Sequence, residues 1–138
     1  MQTVKHFLVH PVTVCFLFCS LVISGESYGG FYIFILLIGL QSVALHSILG
    51  IAGVIIIMIS LSMKYSIGAA AVRLVASVCF IASLVRFFMQ PGGSYNYPTF
   101  HQFVPLTLLL IFSLSLLLFI IKQLQLLNFK KDRSVSAM

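Results

Sequence analysis

Acidic side chains are almost missing: Glu26 and Asp132 are the only two in 138 residues. Charged residues of either sign make up 7% of the chain, whereas a water-soluble domain carries about 25%. So few charges cannot wet a globular surface, so lipid becomes the expected solvent for most of the protein. Catalytic groupings are missing as well. The sequence holds no Ser/His/Asp set, no glycine-rich phosphate loop and no His/Cys/Asp/Glu cluster at metal-ligand spacing. No internal repeat divides the chain, and its length suits a single domain.

What charge there is has a pattern. Eight Lys and Arg give a net charge of +6. A soluble protein with this balance would suggest nucleic acid as a partner. Here the bases flank apolar runs, where they set orientation and meet anionic lipid headgroups, so nucleic acid is not expected. The three cysteines, Cys15, Cys19 and Cys79, lie inside apolar runs and read as small buried hydrophobes. Cys15 and Cys19 share a helix face, yet a structural zinc site needs four ligands.

The apolar runs predict an all-α integral membrane protein, a four-transmembrane-helix bundle with both termini cytoplasmic. The expected spans are 7–24, 31–63 (long or kinked), 66–89, and 103–121 extending to 129. They form one domain, 1–129, followed by a basic mobile tail, 130–138. The first run imitates a secretory signal and is read as an uncleaved anchor. The second, with 33 residues and no charge, is too long for one ordinary span. It is either one tilted or kinked helix or two segments that part near Ser47–Gly50. A single crossing puts Lys5, Lys64, Lys122, Lys130, Lys131 and Arg133 on one side and Glu26 on the other, the positive-inside pattern. Gly50 and Gly53 then mark a kink or a close helix contact. Pro91, Gly92 and Gly93 end the third span. Tyr28, Tyr32, Tyr95, Tyr97 and Phe100 are expected as an interfacial aromatic belt.

Four residues inside the runs stand out as candidate buried polar groups: Gln41, His46, Arg73 and Arg86. Ionisable groups in a bilayer are expensive and therefore informative. Arg73 shares a stripe with Ala69, Ala76, Phe80 and Ser83, whose small members let another backbone approach. The arginine either snorkels to the headgroups or faces a protein neighbour. No acid lies inside the runs, so a buried Arg73 must find a backbone carbonyl, a lipid phosphate or another chain. Arg86, one turn from its helix end, is expected to snorkel. His46 lies among Gly39, Ser42, Gly50 and Gly53. Haem ligation needs a second histidine at matching depth, and neither His10 nor His101 provides one. A packing role is expected for His46, with no cofactor and no metal.

These features predict a small non-enzymatic membrane subunit that packs against partner helices, with membrane lipids and other membrane chains as its partners. A small oligomeric transporter or channel is the alternative. A membrane anchor or enzyme subunit of an electron-transfer or lipid-processing assembly is a third. The expected location is multi-pass, in a bacterial inner membrane or an organelle membrane.

Overall fold

The computed structural model describes residues 7–25, 29–64, 66–90 and 93–135. Among the described residues five helices carry the fold: α1 (Pro11–Cys19), α2 (Tyr32–Gln41), α3 (Leu45–Ser62), α4 (Ile67–Met89) and α5 (Phe103–Val135). Between α1 and α2 the short strands β1 (Val22–Ile23) and β2 (Gly30–Phe31) pair antiparallel, Val22 opposite Phe31. A 3-10 helix, Gly93–Phe100, links α4 to α5. Among the described residues three segments are long and apolar enough to cross a membrane: α3, α4 and the Phe103–Asn128 part of α5. The end of the bundle where α3 begins and α4 ends is called the upper end below.

α3 and α4 form an antiparallel hairpin. Ser66 caps α4, its hydroxyl accepting from the Ala69 amide at 3.2 Å. Small residues bring the two helices together. A Cβ added at Gly53 would stand 2.7 Å from the Phe80 ring, so only glycine fits there without displacement. Gly50 and Gly53 thus mark a close contact within a continuous helix. The centre of the core is Phe18. Its ring lies 5.3 Å from Tyr32, 4.2 Å from Phe80 and 5.6 Å from Phe112, so α1, α2, α4 and α5 converge on one side chain. Such ring pairs add about 0.5–1.5 kcal/mol each beyond their burial.

The apolar run 7–24 is not one helix, and the fold is therefore not purely helical. α1 ends after nine residues, a rise of about 13 Å, and the chain continues extended. Extended backbone is tolerated in an apolar setting only where protein satisfies its polar groups. Here the β1–β2 pairing does so, helped by Tyr32, whose amide donates to the Leu21 carbonyl at 2.6 Å. Thr99 completes the arrangement: its hydroxyl accepts from the Ser24 amide at 2.9 Å and donates to the Ser24 carbonyl at 3.1 Å.

The run 31–63 does part into two helices, but at Ser42–Ala44, upstream of the expected position. The Val43 amide donates to Leu40 O at 3.1 Å and the Ala44 amide to Gly39 O at 2.8 Å. These two bonds make a Schellman motif, with Val43 at the left-handed position (φ 54°) that glycine usually fills. At the other end of the chain, α5 continues to Val135. Residues 130–135, expected as a loose tail, are helical, in keeping with the good helix propensity of Lys130, Lys131 and Arg133.

Candidate functional site

The polar residues that the sequence singles out separate into two groups. The first lies low in the α3–α4 hairpin. Arg73 is 4% exposed. Its Nε donates to Ser60 Oγ at 3.4 Å and its Nη2 to the Ser60 carbonyl at 3.2 Å. Ser60 in turn donates to Ile57 O at 2.7 Å, and Ser77 donates to Arg73 O at 3.0 Å. A backbone carbonyl one helix away thus meets the guanidinium, and the need for another chain's acid falls away. Ala69, Ala76 and Ser83 are buried on the same face of α4. Arg73 and Ser83 bond across to α3, and Phe80 meets its Gly53. This stripe is occupied within the chain, so it is not a free surface for a partner helix.

The second group lies at the upper end, where α2 meets the start of α3. Ser83 Oγ donates to the His46 carbonyl at 2.7 Å. Its single proton is then used, so Tyr32 is the donor in the 2.9 Å contact between the two hydroxyls. The His46 ring packs edge-on to Phe87 at 5.2 Å, and Tyr32 approaches the same ring at 5.4 Å. A Cβ at Gly39 would clash with Ser47 Oγ and stand 3.2 Å from His46 Nε2, so glycine lets α2 close onto α3. Ser47 Oγ is buried and has no hydrogen-bond partner among the described residues. Gln41 and Arg86 belong to neither group. Both are exposed, and Arg86 lies in the last turn of α4, where its charge complements the helix dipole.

Phe87 also lines a cavity of about 380 Å³, together with Ile35, Ile38 and Asn96. Phe87 is thus common to the cavity and to the ring contacts of Tyr32 and His46. A second, more open cleft of about 360 Å³ lies between Phe88, Met89, Tyr97, Phe100 and His101. Among the described residues no group of three His, Cys, Asp or Glu side chains is placed to hold a metal ion.

Tyr32 corrects the aromatic-belt expectation. It is 0% exposed and hydrogen-bonded in the core, whereas Tyr97 and Phe100 are exposed. The signal that could have found it is the spacing Tyr32, Leu36, Gly39, one face of a helix whose members are all buried. Tyr28 lies outside the described residues. Ser47, Ser60, Asn96 and Thr99 carried no signal in sequence, because each acquires its role from a segment distant along the chain or across a turn. A scan of family models and searches of curated proteins and solved structures return no match to this chain.

Proposed function

We propose that this protein is a small, non-enzymatic, multi-pass membrane subunit that packs against the helices of a larger assembly. The observation that carries the reading is α5. Its 33 residues rise about 50 Å, against a hydrocarbon core of about 30 Å. Measured from Phe103, that core ends near Lys122, where a base suits a headgroup layer. Beyond it the helix runs on through Leu124, Leu126 and Leu127 to the basic residues Lys130, Lys131 and Arg133. Leu124 is exposed. A helix that leaves the membrane while still carrying leucines suits a protein contact, with its bases against anionic headgroups. In this reading the run 7–24 makes a fourth crossing, and both ends lie on the cytoplasmic side.

The test is copurification from native membranes in mild detergent, for wild type and for Leu124→Glu. Wild type is expected to bring partner chains with it, and the variant to lose them while remaining in the membrane. A wild-type protein that elutes alone, with the variant indistinguishable from it, refutes the subunit reading. One observation favours a second reading, a small oligomeric transporter or channel. The α2–α3 break leaves non-helical backbone at Ser42–Ala44, and transporters build their sites at broken helices.

A further inference from the structure

We propose that the cavity between α2 and the 3-10 helix binds an uncharged amphipath, a molecule with an apolar chain and one hydrogen-bonding head. The inference rests on the membrane placement proposed above. Ile35, Ile38 and Phe87 give the cavity apolar walls, which select an apolar body. The fourth lining residue, Asn96, offers two donors and an acceptor, and its amide makes no hydrogen bond with any described residue. Among the described residues no Lys, Arg, Asp or Glu lines the cavity. A charged head would lose hydration there with no counter-charge, whereas a hydroxyl, ester or amide matches the lone amide. The Phe87 ring is held by its contacts with Tyr32 and His46, so little ordering accompanies binding. Asn96 follows α4, at headgroup level, and Ile38 at the mouth is largely exposed. The ligand therefore lies with its head toward Asn96 and its chain toward Ile38 and the lipid.

The sequence has no tryptophan, so an introduced indole is the only one present. Ile38→Trp places it at the cavity. Phe103→Trp, at the exposed start of α5, is the control. Each variant is reconstituted in phosphatidylcholine vesicles and titrated with dibromostearyl alcohol, which quenches indole fluorescence on contact. At position 38 quenching is expected to reach a plateau at low probe content, and unbrominated stearyl alcohol should restore the fluorescence. At position 103 it should rise in proportion to probe. Ionised dibromostearate at alkaline pH should quench both positions alike. Adding Asn96→Leu to Ile38→Trp should weaken half-saturation about five-fold, the loss of one net hydrogen bond. A quenching curve at position 38 that follows position 103, or one that Asn96→Leu leaves unchanged, overturns the site. Absence of quenching at both positions overturns the membrane placement, and the site with it.

Discussion

Val43 holds a backbone conformation that its own side chain resists. A left-handed conformation costs an L-residue roughly 1–2 kcal/mol, and β-branched residues are the least tolerant of it. The Schellman bonds at Gly39 and Leu40 impose that conformation, and Val43 is 72% exposed, so its side chain has little packing to lose. Val43→Gly is therefore expected to raise stability by about 1 kcal/mol, read by thermal unfolding in detergent with helical circular dichroism. A lower midpoint would mean that the valine side chain makes a contact worth more than the strain. Tyr32 shows the opposite case, a side chain fixed by its surroundings. Tyr32→Phe keeps both ring contacts and leaves Ser83 donating to His46 O. The expected loss is that of one interhelical bond in a membrane protein, about 0.6 kcal/mol. Tyr32→Leu also removes the rings' partner and should cost several times more. Equal effects of the two substitutions would show that the hydroxyl, not the ring, holds α2 in place. Sequence reading misplaced this residue because a tyrosine near a glycine-rich loop resembles an interfacial anchor until its helical neighbours are considered.

Elements were legible where their signals are local. The third expected span, 66–89, matches α4 to within a residue, because Ser66 is a capping residue and Pro91 forbids continuation. The α1–β1 transition was not legible, since the extended backbone at Ser24 depends on Thr99, 75 positions later. Nor was the break at Ser42–Ala44, because valine in a left-handed slot is the reverse of the glycine signal that marks such stops. The small residues of the second run, by contrast, were correctly suspected of close contact, and that contact can be measured. Gly53→Ala puts a methyl against the Phe80 ring and should cost about 1–3 kcal/mol by overpacking. Phe80→Leu vacates that space, so the double variant should be less damaged than the sum of the two single ones. Gly30→Ala is the control, because nothing stands within 4 Å of its added Cβ. Strict additivity between Gly53→Ala and Phe80→Leu would remove Phe80 as the reason for glycine at position 53.

For the whole molecule, the question is whether a run with a nine-residue helix crosses a bilayer. α1 rises about 13 Å, and the extended residues from Leu21 to Ser24 add about 3.3 Å each. Helix and extended backbone together therefore reach about 27 Å, a little less than a hydrocarbon core of about 30 Å. The packing agrees with this direction. Near its start the run is tied to α5 by Ser115, whose hydroxyl donates to Leu8 O at 2.6 Å. Near its end it is tied to Thr99 at the upper end. Counting from Phe103, Ser115 is about 18 Å along α5, so from Leu8 to Ser24 the run ascends about 18 Å, from just below the middle of the core to the upper end. The bases then gather mostly below, where Lys64 follows α3 and Lys122 to Arg133 lie in the lower part of α5, while Arg86 lies in the last turn of α4 at the upper end. In the topology proposed above, the positive-inside rule assigns that side to the cytoplasm. Reporters fused after Lys64 and Met138 are expected to read as cytoplasmic, and those after Ser27 and Asn96 as external. A tag at Met1 decides the first run. On the side of Lys64, it establishes a crossing made half of helix and half of extended chain. On the side of Ser27, it leaves three crossings, with α1 inserted from above and returning to the surface it entered.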